Sequence, residues 1–189
     1  MKTIYTVVAG LLLALFASQA SAVKVLGIDM PDQMQYGGNT MVLNGVGIRK
    51  KALFFKLYVA GLYLTEKSKD AAAIMKADES MSIRLGITSS RITPDKMKAA
   101  TLNGFMVGTG GNIAPIKPQI DKMLNTFDEG VGPGDVYELI NMPGSGVHIV
   151  RNGKKVEVIR SAAFKEALFG IWLSNTPVQA NLRAALLGG

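Results

Sequence analysis

The sequence predicts an α+β domain whose sheet is mainly antiparallel, with helices packed on it. Strand signals come in runs, with helices interposed and at the end of the chain. Asn152-Gly153 lies between two alternating runs, the strongest short hairpin signal available. The stretch from Ala162 to Leu187 reads as two helices.

The chain opens on an address. Lys2 supplies a positive start, and Ile4–Phe16 is apolar apart from Tyr5, Thr6 and Gly10. Ala20-Ser21-Ala22 has the small-x-small form of a cleavage site. The expectation is a signal peptide over residues 1–22, cut after Ala22, and one domain over 23–189. That implies the periplasm or the cell exterior. The apolar run is too short for an ordinary span, which needs roughly 20 apolar residues, although an uncleaved N-terminal anchor is the alternative.

Val23–Ile28 alternates and fits an edge strand, and Asp29–Gly38 reads as a loop or the start of a hairpin. Thr40–Arg49 and Leu53–Leu64 are strands, with Lys50-Lys51 at the turn between them. Ser68–Lys76 is a short helix with Ser68 as its cap, and Ser80–Ile87 a strand. A helix starts at Ile92, where Thr93 caps, Pro94 takes the first position and Asp95 favours the positive end. Met97, Ala100, Thr101 and Phe105 share one of its faces. Helix resumes over Lys117–Phe127, where Ile120, Met123, Leu124 and Phe127 recur at helical spacing. Gly134–Ile140, Gly146–Arg151 and Lys154–Arg160 are strands. Ala162–Trp172 and Pro177–Leu187 are the closing helices, Thr176 capping the second and Trp172 serving as a packing anchor.

Composition narrows the chemistry. With no cysteine the fold has no disulfide, so stability must come from an apolar core. Zero Cys and a lone His148 argue against most transition-metal sites and multi-residue Cys or His catalysis; no metal and no cofactor are expected. His148 reads as a surface or half-buried residue without an identifiable acidic partner. The formal charge of +7 is scattered, without a basic run interleaved with aromatics, so nucleic acid is a poor partner. The positive surface is either merely solvated or attractive to anionic ligands and membrane surfaces. Ten methionines fit an adaptable apolar lining as well as ordinary core filling.

The segment Leu43–Leu64 stands out. Arg49 ends a glycine-punctuated strand, and the next strand is almost wholly apolar or aromatic, interrupted by Lys56 and Gly61. A cation beside a tyrosine-bearing apolar strand suits a greasy molecule with an anionic or enolate oxygen. Arg49 offers a planar fork of donors that stays charged when partly desolvated, and the Tyr58 hydroxyl can add a hydrogen bond. Strict alternation places Phe54, Lys56, Tyr58 and Ala60 on one face, with Phe55, Leu57 and Val59 on the other.

Asn44-Gly45-Val46-Gly47-Ile48-Arg49 and Lys56–Leu64 resemble the core motif of chalcone isomerase-like proteins, and Phe164–Gly188 resembles the closing helices of that family's bacterial, exported branch. The resemblance runs from Asn44 to the C-terminus. It implies an open-faced β-sandwich, a large antiparallel sheet with a helical layer and a ligand cleft between them. It also implies that Arg49 lies in the cleft as the arginine of Gly-x-Gly-x-Arg, and that Tyr58 matches the fatty-acid-binding branch, where a tyrosine accompanies that arginine. Aligned by Asn103, Lys96 takes the place of the catalytic tyrosine, and Ala167 falls near that of a catalytic threonine. Read without the resemblance, Lys96 is a solvated first-turn residue and Asn103 a helix-end residue. The implied ligand site is therefore Arg49, Tyr58, Asn103 and Lys96, with Arg49 catalytic only if the protein is an enzyme.

Three functions follow. The chain binds a fatty acid or similar amphipathic or aromatic carboxylate or phenol without catalysis. Alternatively, it is an intramolecular lyase of the chalcone–flavanone isomerase type, or an envelope structural or interaction protein whose cleft is closed by side chains. The missing tyrosine and threonines favour the first.

Overall fold

The computed structural model describes residues 22–52 and 54–189. The expected signal peptide lies outside the described residues, save Ala22, which pairs with Pro31 in the first strand. Strands β1 (Ala22–Val25) and β2 (Ile28–Pro31) form a separate two-stranded hairpin. The segment expected as an edge strand therefore turns back on itself at Leu26 and Gly27, both at positive φ. The main sheet is an antiparallel meander of seven strands in sequence order. These are β3 (Gln33–Tyr36), β4 (Asn39–Lys51), β5 (Phe55–Leu64), β6 (Met81–Ile87), β7 (Val136–Met142), β8 (Gly146–Arg151) and β9 (Lys154–Ile159). Lys50 and Lys51 extend β4 rather than forming the turn. Asn152 and Gly153 both take positive φ between β8 and β9, as a tight two-residue hairpin turn requires.

Among the described residues five α-helices, α1 (Ala71–Lys76), α2 (Pro94–Gly108), α3 (Lys117–Asn125), α4 (Ala162–Leu173) and α5 (Ala180–Leu186), and one 3-10 turn over Ala114–Ile116 complete the fold. Thr93 caps α2 through its hydroxyl, as the sequence predicts. Asp70 rather than Ser68 caps α1, because its carboxylate reaches the Ala73 amide. Gln179 rather than Thr176 precedes α5, and the Thr176 hydroxyl donates to the Val107 carbonyl at 3.4 Å. On α2 the buried face is Met97, Thr101, Gly104 and Phe105, whereas Ala100 is exposed. No helix among the described residues is long and apolar enough to cross a membrane.

The main core lies on the helical side of the sheet. Alternate residues of the strands, such as Ala60, Leu62, Ile83, Leu139 and Ile149, meet Phe105, Phe164, Phe169 and Leu186 from the helices there. The opposite face carries a smaller cluster of Met34, Met41, Tyr63, Ile140 and Val150. The β1–β2 hairpin packs on that face: a Cβ on Gly86 would stand 2.3 Å from Ile28 Cγ2.

Two β-bulges shape the β4–β5 pair. Between Leu43 and Gly45 the register slips past Asn44, and between Arg49 and Lys50 it slips past Leu57. A bulge breaks the strict alternation of side chains. It brings Phe55 and Leu57 to the cavity beside Tyr58, while Lys56 is exposed and lines no part of it. This corrects the alternation expected from sequence, which put Lys56 with Tyr58 and Phe55 and Leu57 on the far face.

Candidate functional site

The glycines of Gly45-Val46-Gly47 admit a helix. A Cβ on Gly45 would lie 2.1 Å from the Ala185 carbonyl oxygen, and one on Gly47 would lie 2.8 Å from Leu182 Cδ1. Helix α5 can therefore lie directly on β4. The bulged Asn44 fixes the far end of this contact. Its amide donates to the Leu186 carbonyl at 2.8 Å and to the Ser68 carbonyl at 3.0 Å, and its oxygen accepts from the Ser68 amide at 2.8 Å.

At the near end, Gln179 holds the arginine. Its side-chain oxygen accepts from Arg49 Nη1 at 3.1 Å and from the Lys50 amide at 2.8 Å, while its nitrogen donates to the Ile48 carbonyl at 3.2 Å. Arg49 Nη1 also donates to the Lys50 carbonyl. A residue just ahead of α5 thus sets the direction of a guanidinium on β4.

Tyr58 stands opposite Arg49 in the strand register and is buried. Its hydroxyl accepts from Trp172 Nε1 at 3.1 Å. Burial raises its pKa above the ordinary tyrosine value, against the opposing pull of the Trp172 hydrogen bond and the Arg49 charge. The phenol therefore stays neutral and able to donate.

These groups open on a cavity of about 720 Å³ between the sheet and α2, α3 and α4. Its buried wall is mostly apolar, formed by Leu85, Met97, Met123, Phe127, Leu139 and Ile171, with Thr101 and Tyr137 among them. Its more exposed wall carries Arg49, Lys51, Arg91 and Lys96, and no acidic residue lines it among the described residues. The Arg91 guanidinium lies over the Phe55 ring, 4.2 Å from its centroid. The volume falls in the ~300–1,000 Å³ range of small-molecule sites.

All four residues expected from sequence, Arg49, Tyr58, Lys96 and Asn103, line this cavity. Lys96 also donates from Nζ to the Arg91 carbonyl at 3.2 Å, tying the start of α2 to the preceding loop. Ala167 is displaced from its expected place: it packs against the core, and Ile171 and Trp172, a turn later on α4, face the cavity instead. Trp172 is thus a cavity wall and hydrogen-bond donor as well as a packing residue. Sequence reasoning missed Gln179, Arg91 and this role of Trp172. Gln179 and Trp172 act through contacts across 130 and 114 positions, which no local pattern encodes.

His148 is remote from the cavity. It pairs across the strands with Ile140 of the opposite-face cluster. Its Nδ1 hydrogen-bonds the Tyr36 hydroxyl at 3.0 Å and its Nε2 the Ser145 hydroxyl at 2.8 Å. Among the described residues no group of three His, Asp or Glu side chains converges as a metal site would need.

A search of curated proteins returns no match. The fold matches the crystal structure of a fatty-acid binding protein from Arabidopsis thaliana with a TM-score of 0.71, covering 88% of this chain and 96% of that one at 18% sequence identity. At that identity the match shows a shared fold alone. A family model described as chalcone isomerase-like matches residues 22–188, nearly the whole of the described structure. With its glycine-paired β4, its arginine at the cavity and its helical layer on a curled meander, the chain belongs to the chalcone isomerase-like family.

Proposed function

We propose that the protein binds a fatty acid or similar amphipathic carboxylate, without catalysis, with its tail in the cavity and its head at Arg49. The observation that carries this reading is the polarity of the cavity: a mostly apolar buried wall, and an outer wall with four cations and no acid among the described residues. Arg49 would clamp the carboxylate, since a guanidinium meets a carboxylate through two parallel hydrogen bonds. Neutral Tyr58 supplies a further donor, and the match to a fatty-acid binding fold agrees with this use of the cavity. Catalysis has less support, because α4 presents Ile171 and Trp172 to the cavity and no hydroxyl. The envelope-scaffold reading also weakens, since side chains do not fill the cavity. Export to the periplasm or beyond remains part of the proposal and rests on the composition of residues 1–22.

The test is native mass spectrometry of protein purified from its host, with lipid extraction, repeated for Arg49→Ala. A co-purifying acid that the variant loses supports the reading. Protein that arrives empty and takes up no added fatty acid overturns it. In titrations with a fatty acid, Arg49→Ala should weaken binding about 10- to 150-fold, the range for a hydrogen bond to a charged group. The corresponding neutral alcohol should lose little.

A further inference from the structure

We propose that the turn joining β4 to β5 docks on an anionic lipid bilayer and sets the cavity mouth against it. Phe54, at this turn, is 81% exposed, and the adjoining Phe55 is 42% exposed. Phe55 packs under the Arg91 guanidinium at the cavity wall, whereas Phe54 beside it turns its ring to water. Aromatic rings of this kind partition into the interfacial layer of a membrane. Cations surround them: Lys50, Lys51 and Lys56 are exposed on the two strands, and Arg91 and Lys96 stand on the segment across the cavity. No Asp or Glu occurs from Gln33 to Thr65. The first turn of α2 contributes one carboxylate, Asp95.

Charge complementarity selects an anionic surface over a neutral one, because each Lys or Arg near such a surface adds about fivefold to binding. The surface is also continuous with the cavity, since Lys51, Ala52 and Phe55 belong to both. An amphiphile leaving the bilayer there would pass between the aromatic turn and the basic wall. This inference goes beyond the binding reading and does not need it.

The test is co-sedimentation of the full chain with phosphatidylcholine vesicles, with and without phosphatidylglycerol, and with no fatty acid added. Binding should appear with phosphatidylglycerol and fall as salt is raised. Phe54→Ser should weaken it about tenfold or more, the scale of one lost aromatic burial. The double variant Lys50→Ser/Lys56→Ser should weaken it about thirtyfold. Phe54 lines no part of the cavity, so Phe54→Ser should leave fatty-acid affinity measured without vesicles unchanged. The emission introduced by Phe54→Trp should be quenched by brominated lipid, which reports on this turn and not on the N-terminal segment. Equal binding to neutral vesicles, binding that ignores both sets of substitutions, or an unquenched Phe54→Trp signal would each overturn the proposal. Vesicle binding and fatty-acid binding are read separately, so either can fail alone.

Discussion

Tyr58 joins the sheet to the helical layer through one hydroxyl. It accepts the indole N–H of Trp172 while keeping its own proton, because burial holds its pKa above the ordinary value. Replacing it with phenylalanine leaves a buried indole donor unsatisfied. Tyr58→Phe should therefore cost about 1–3 kcal/mol, read from urea unfolding, and should shift the emission of Trp172, the only tryptophan. His148 gives a second residue-level expectation. Burial, Lys155 and Arg160 lower its pKa from the ordinary 6.5, so the unfolded chain takes up the proton first as pH falls. Its contribution to stability is present above pH 6.5 and is lost as pH drops through the lowered folded value. The urea midpoint should decline across that window, and His148→Gln should flatten this part of the slope. An unchanged slope would mean that His148 contributes nothing to it.

At the scale of elements, the decisive contact is α5 on β4. It depends on two positions without a Cβ and on Asn44, which answers three backbone groups from two distant segments. Gly45→Ala would drive a methyl group into the Ala185 and Leu186 carbonyls, 2.1 and 2.6 Å away. Backbone cannot rotate aside as a side chain can, so the cost should reach or exceed the ~1–3 kcal/mol typical of overpacking. The helix should loosen, and limited proteolysis between α4 and α5 should accelerate. Arg49 should lose its Gln179 partner in the same step, lowering carboxylate affinity without a substitution in the cavity wall. Wild-type protease resistance in Gly45→Ala would show that the helix tolerates displacement.

At the scale of the whole molecule, ligand and stability are linked. A carboxylate that binds only the folded state at 100 times its Kd adds about 2.7 kcal/mol. For a domain of this size that raises Tm by roughly 5–10 °C. Differential scanning fluorimetry with a long-chain fatty acid should show that rise for the wild type and a much smaller one for Arg49→Ala. The same rise in both would move the head group away from Arg49.

The runs of strand and helix, the Asn152-Gly153 hairpin, the Thr93 cap and the pairing of Arg49 with an apolar tyrosine-bearing strand were legible in the sequence. These are local properties: alternation, turn chemistry and capping act over a few residues, and spacing along α2 already put Lys96 and Asn103 near one face. The glycine motif was visible, but its reason was not, because the helix it admits lies some 140 positions along the chain. Tertiary structure alone decided that Leu57 bulges and turns Lys56 out of the cavity, that Gln179 aims Arg49, and that Ile171 and Trp172 rather than Ala167 close the wall. Each depends on where one element lands on another, and a one-residue slip in register or a single helical turn reverses the outcome.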